Sequence, residues 1–176
     1  MKHPSFDYVL AGLFLAAALA LPIFFHALGL GSAFMPMFFP LALAGFLVSA
    51  PLAMVVGVSA PLLSALLTGM PPFYPPIAFI MMAEGLLFTG LSRALQNLLR
   101  LPVWAALLFI LLLDRLLLFF MVRVMAMFME LPPTLLSWAT MLHGIPGLAL
   151  MLAVLPWFIP RLREKKERIA RRHDQG

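Results

Sequence analysis

The stretch APLAMVVGVSAPLLSALLTGMPPFYPP, residues 50–76, decides how the rest of the chain is read. It is an apolar run of helical length that ends in Thr68-Gly69-Met70-Pro71-Pro72, followed by a second proline pair, Pro75 and Pro76. Proline has no amide hydrogen and restricts the residue before it, so the helix stops there. The stretch therefore predicts a membrane helix that delivers its chain into a stiff, irregular cap carrying Phe73 and Tyr74. Irregular backbone at a membrane is tolerated only where protein or water satisfies its polar groups. Such a cap suits a lid over a cavity, although the ordinary reading of a Pro-rich loop is a rigid connector between two spans.

Composition sets the surroundings of this stretch. The chain has 176 residues, of which 64% are hydrophobic and 11% charged, and its mean hydropathy is +1.05. A domain this size cannot hide so much apolar surface in water, which identifies an integral membrane protein. Cysteine is absent, so disulfides and thiol chemistry are excluded. The net charge of +5 is concentrated in the last 16 residues. A basic tail beside a span reads as a topology signal and a headgroup contact, and nucleic-acid binding is not expected. Lys2 and His3 precede an apolar run containing Ala18-Leu19-Ala20, which resembles a signal-peptide cleavage site. The run continues to Phe25, long enough to span a bilayer, so it is read as the first helix.

Outward from the opening stretch, the expected fold is an all-α integral membrane bundle of six transmembrane helices. They cover residues 6–25, 36–48, 51–67, 77–99, 102–129 and 133–159, within a domain spanning 1–160, with a solvated basic tail at 161–176 that can extend the last helix by a few turns. The second helix is short for a span, which predicts tilt or a surround of protein. The sixth is interrupted by His143-Gly144-Ile145-Pro146-Gly147. Six spans put both termini on one side, and the basic tail assigns that side to the cytoplasm. The loops at 26–35, 68–76 and 130–133 then face outward, and none contains Lys or Arg.

Charges inside spans are the informative residues. Each costs ~2.5–3.5 kcal/mol at a helix centre on insertion scales, so it must pair, reach water or serve a function. Arg93 lies ~10 Å from a helix end and can snorkel. Arg123 and Glu130 are seven apart, within ~20° on a helical wheel, with Arg115 within ~80° of both and Asp114 pointing away. Glu84, on the preceding helix, falls at nearly the level of Arg123, which makes a Glu84–Arg123 pair geometrically reasonable. Two readings follow: an ion pair that braces the fourth helix against the fifth, or a ligand site built from Glu84, Arg115, Arg123 and Glu130. Tyr74 in the cap and His143 at the break join the candidate ligand contacts, and Phe73, Tyr74 and Trp138 are candidates for stacking on a ring. Arg with Glu suits a carboxylate-bearing or zwitterionic heterocycle.

Thirteen methionines raise a metal hypothesis, but with no Cys and four His, two of them terminal, the ligand set is thin. Methionine is also ordinary apolar filler. No GxSxG, HExxH or GxxxxGK[ST] pattern occurs, so no catalytic, cofactor or ATP-hydrolysing site is expected. Gly12, Ala16 and Ala20 repeat at four-residue spacing along the first helix. Such a stripe permits close helix approach, either within the bundle or by an external partner.

Six short spans, a small-residue first helix, MFFP at 37–40, and above all PLLSALLTGMPP at 61–72 followed by Glu84 resemble the substrate-binding S components of energy-coupling factor (ECF) transporters. The resemblance covers most of residues 6–159 and is sharpest in PLLSALLTGMPP. It implies a vitamin or related micronutrient bound near the outer face of the plasma membrane, under the first and third loops. It also implies a transmembrane coupling subunit and two ATPase subunits as partners, with the first helix as docking face. The family's alanine motif there often ends in Trp, whereas Gly12, Ala16 and Ala20 have no such Trp. The alternative is a scaffold subunit resembling the rod-shape-determining membrane proteins, which needs no cavity and pairs its buried charges internally.

Overall fold

The structure, a computed structural model, describes residues 4–129, 142 and 144–173. All regular structure among them is helical. In chain order the helices are α1 (Pro4–Ala27), α2 (Gly31–Phe34), α3 (Phe38–Leu47), α4 (Ala50–Thr68), α5 (Ile77–Leu98), α6 (Val103–Phe128) and α7 (Ile145–His173). Five are long and apolar enough to cross a membrane, in α1, α4, α5, α6 and α7. The expected second span is the exception. At ten residues α3 rises ~15 Å, about half a hydrocarbon core. Eight of its ten residues are buried, so a jacket of protein replaces the lipid its length cannot match. The six expected transmembrane helices thus resolve into five candidates and one short internal helix.

The proline signals acted unevenly. α4 carries proline in its first turn and ends at Gly69, whose φ of 71° closes the helix in a left-handed cap. The cluster after Gly69 does break the helix, as expected. Pro22, Pro61, Pro156 and Pro160 instead lie inside helices. α7 runs on past Pro160 to His173, so the basic tail extends the last helix by a few turns, as expected. The loop expected at 26–35 also holds more helix, with α1 reaching Ala27 and α2 filling a single turn.

α4 and α5 form the tightest helix pair. A Cβ on Gly57 would lie 2.5 Å from the Gly85 carbonyl oxygen, and one on Gly85 would strike the Gly57 carbonyl in return. Only paired glycines allow this backbone approach. Because Gly85 follows Glu84, the contact also fixes where Glu84 sits. On the same helix the hydroxyls of Thr89 and Ser92 donate to the carbonyls of Gly85 and Phe88, so these buried polar groups are satisfied within α5. Around the outside, large apolar side chains are left exposed, among them Leu67, Leu112, Leu116 and Phe120. That girdle identifies a multi-pass membrane protein.

One end of the bundle is a polar clasp. The Ser49 amide donates to Asp7 Oδ2 at 3.0 Å, and Lys166 Nζ donates to Asp7 Oδ1 at 2.5 Å and to the Leu47 carbonyl at 2.6 Å. Arg163 Nη2 donates to Gln96 Oε1 at 2.6 Å and to the Phe46 carbonyl at 3.2 Å. The last carbonyls of a helix have no partner within it. Two cations from α7 satisfy those of α3, where the helix dipole favours positive charge. The basic segment expected to be solvated therefore gives two side chains to the fold. The clasp also places the start of α1, the end of α3, the start of α4, the end of α5 and the far part of α7 at one end of the bundle.

Candidate functional site

A cavity of about 560 Å³ lies at the opposite end. Its walls come from the end of α1 (Pro22, Ile23, His26), the turn before α3 (Met35 to Phe38), the end of α4 (Ser64, Thr68), the start of α5 (Ile77 to Glu84), α6 (Arg115, Leu118, Val122) and Gly144. Met70, Pro71 and Pro72 complete it, so the proline cap does cover a cavity. The cap is anchored from below. The Ser64 hydroxyl donates to the Met70 carbonyl at 2.7 Å, and the Met70 amide donates to Thr68 Oγ1 at 3.2 Å. On its far side the Ala78 amide donates to the Pro72 carbonyl at 3.1 Å. Met70–Pro71 and Tyr74–Pro75 are cis peptide bonds.

Glu84 enters the cavity from α5, ~10 Å below that helix's start. It is 3% exposed, and its Oε1 has no hydrogen-bond partner among the described residues. One turn deeper on α5, fully buried Phe88 stacks against the wall residue Phe38 with ring centroids 5.1 Å apart. Asp114 and Arg115 on α6 are the charged neighbours of Glu84. Arg115 donates from Nε and Nη2 to Asp114 Oδ2, at 3.0 and 2.5 Å. Its Nη2 also reaches Met35 Sδ at 3.6 Å. Met35 has φ 48° and ψ 52°, a left-handed conformation that side chains other than glycine seldom adopt. A Cβ on Gly144 would lie 2.7 Å from Met35 Sδ and 3.2 Å from Arg115 Nη1. The glycine at the expected break of the last helix is thus what lets these side chains lie against it.

The structure brings together Glu84 and Arg115 from the expected set and separates Arg123 and Tyr74 from them. Arg123 is exposed and lies over the Phe119 ring, 5.2 Å from its centroid. The expected Glu84–Arg123 pair does not form. Asp114 and Arg123 are nine residues apart, ~180° on the helix, so burying one exposes the other. α6 turns Asp114 inward, fully buried, which corrects the expectation that it points away from the charged cluster. Tyr74 is 69% exposed, and Phe73 packs against Phe79; neither lines the cavity. Glu130, His143 and Trp138 lie outside the described residues.

Residues not singled out beforehand also line the site: His26, Ser64, Thr68, Met35 and Met81. Ser64 and Thr68 did carry a signal, two hydroxyls one turn apart in an otherwise apolar run. On α1, Gly12, Ala16 and Ala20 are exposed, whereas Ala11, Phe14 and Ala18 face the core. The small-residue stripe is therefore on the outside of the bundle. Among the described residues no group of three or more His, Asp or Glu could hold a metal ion. The fold and site define a multi-pass α-helical membrane protein with a largely apolar cavity at one end. The chain matches no protein-family model, no curated protein and no solved structure.

Proposed function

We propose that this chain is the membrane-embedded substrate-binding subunit of an ECF-type ABC importer. It captures a vitamin or related small micronutrient at the outer face of the plasma membrane. It delivers that ligand together with a transmembrane coupling subunit and two ATPase subunits, and does no chemistry on it. The observation that carries this reading is the cavity under the 68–76 cap with a buried, unpartnered carboxylate oxygen in its wall. Ligand sites are concave and mostly apolar with a few placed polar groups, and a scaffold protein needs no such space. The exposed Gly12, Ala16 and Ala20 stripe supports a partner helix docking against α1. Its opposite face is already taken by the core.

In this reading the clasp end of the bundle, with Asp7 and Lys166, is cytoplasmic, and both termini lie there. Isolation of the full-length protein from its native membranes in mild detergent tests the assignment. ATPase subunits and a coupling subunit should copurify, and Ala16→Leu should release them while leaving the protein folded. Recovery of wall-synthesis proteins in place of ATPases would favour the scaffold alternative.

A further inference from the structure

Among the described residues the charges at the cavity do not balance, and the imbalance has a direction. Two carboxyl groups, Glu84 and Asp114, share one guanidinium, Arg115. Arg115 commits both Nε and Nη2 to Asp114 Oδ2. The second guanidinium of α6, Arg123, is exposed and lies over Phe119. Glu84 is thus left at the cavity wall, 3% exposed, with Oε1 accepting no hydrogen bond from the described residues. A buried acceptor without a donor is expensive, and a buried charge without a partner more so.

The rest of the wall constrains what can supply that donor. Met35, Met37, Met70 and Met81 line the cavity together with Phe38. Thioethers are polarisable, conform to irregular shapes and make favourable contacts with ring edges. Among the described wall residues hydroxyls are scarce, and those of Ser64 and Thr68 are already directed at backbone carbonyls. A volume of about 560 Å³ lies within the range of small-molecule sites.

We infer that the cavity takes a small amphipathic cation: a planar, mostly apolar ring body with one positively charged nitrogen group whose N–H donates to Glu84 Oε1. This names the ligand class of the capture site and rests on the reading of the cavity as one. It replaces the carboxylate-bearing or zwitterionic ligand that Arg with Glu would have suited, because Arg123 does not line the cavity and Arg115 is bonded to Asp114.

Three probes with one ring system and different heads test it: tryptamine, indole-3-ethanol and indole-3-propionate. Each is titrated into the purified full-length protein in detergent, with thermal unfolding as readout. Tryptamine is expected to raise the melting temperature, indole-3-ethanol to do so less, and indole-3-propionate not at all. Glu84→Gln, which keeps the shape and removes the charge, should weaken tryptamine at least about tenfold, the loss of a charge-assisted hydrogen bond. Indole-3-propionate matching or exceeding tryptamine, no response to any probe, or an unchanged tryptamine affinity in Glu84→Gln would each overturn the inference. The wild-type ranking needs no variant, so it stands even if Glu84→Gln does not fold. Copurification separates this inference from the transporter reading. Tryptamine binding without ATPase subunits removes the importer and keeps the cation site. ATPase subunits with a preference for the acid keep the importer and remove the cation.

Discussion

The two ends of this bundle hold charge in opposite ways. At the clasp, Asp7, Lys166 and Arg163 all have partners: both Asp7 oxygens accept hydrogen bonds, and each cation donates to a backbone carbonyl as well as to a side chain. At the cavity, Glu84 Oε1 and Asp114 Oδ1 accept nothing from the described residues. The clasp groups are partly accessible, with side-chain exposures of 23% for Lys166 and 13% for Asp7, yet each has at least two hydrogen-bond partners in the protein. The cavity carboxylates are almost wholly buried and unsaturated. Desolvation penalises the second arrangement far more heavily. A charge held at that penalty beside a cavity points to a ligand. A charge saturated by the protein itself points to architecture.

The largest effect should come from the contact that carries both ends. α5 presents Glu84 near one end and Gln96 near the other, and it is held by the Gly57–Gly85 approach. Gly57→Leu drives a side chain into the backbone of α5. Overpacking costs ~1–3 kcal/mol where neighbours can yield, and a backbone carbonyl yields little. Thermal unfolding in detergent should show a loss at or above that range, with clasp and cavity failing together. A variant that unfolds like wild type would mean that the helices are not in backbone contact.

The comparison is sharpest in a matched pair of substitutions. Asp7→Ala strands the Ser49 amide and leaves Lys166 only the Leu47 carbonyl, and should destabilise by ~1–3 kcal/mol. Glu84→Gln removes a charge whose Oε1 accepts no hydrogen bond from the described residues and whose nearby guanidinium, Arg115, is already bonded to Asp114, so stability should hold or rise. Unfolding midpoints measured side by side decide the matter. If Glu84→Gln loses as much as Asp7→Ala, Glu84 has a protein partner and the two ends do not differ in kind.

The smallest effect should come from Arg123→Ala. Arg123 lies over Phe119 on the exposed side of α6, and an exposed cation–π contact is worth ~0.5–1 kcal/mol. Stability should change by no more than that, and tryptamine titration should return the wild-type affinity. A clear loss of affinity would bring Arg123 back to the cavity and restore the zwitterion as ligand.

Much of this was legible from local rules. The apolar runs of α1, α4, α5 and α6 predicted their helices to within a few residues. The Gly69 and proline cluster predicted the cap, because a left-handed glycine and missing amides act on the chain locally. The shortness of the second expected helix predicted tilt or a surround of protein, and α3 has the surround. Glu84 stood out because a carboxylate in an apolar run has no inexpensive explanation. Rotation was not legible. The wheel gave the angles between Asp114, Arg115 and Arg123 correctly, but nothing in α6 alone said which of them faces inward. The face bearing two arginines invited the wrong choice.

Hydropathy, proline chemistry and desolvation act residue by residue, so the chain alone already specified a membrane-embedded helical protein, the location of its longest spans, its proline cap and a set of in-span charges that includes Glu84. That Asp114 turns inward and takes Arg115, that Arg123 turns outward, and that Lys166 and Arg163 fold back onto the end of α3 came from the packed bundle. Those outcomes depend on how each helix is rotated against its neighbours. Rotation is set by contacts between distant segments, such as Gly57 on Gly85, which no single helix contains.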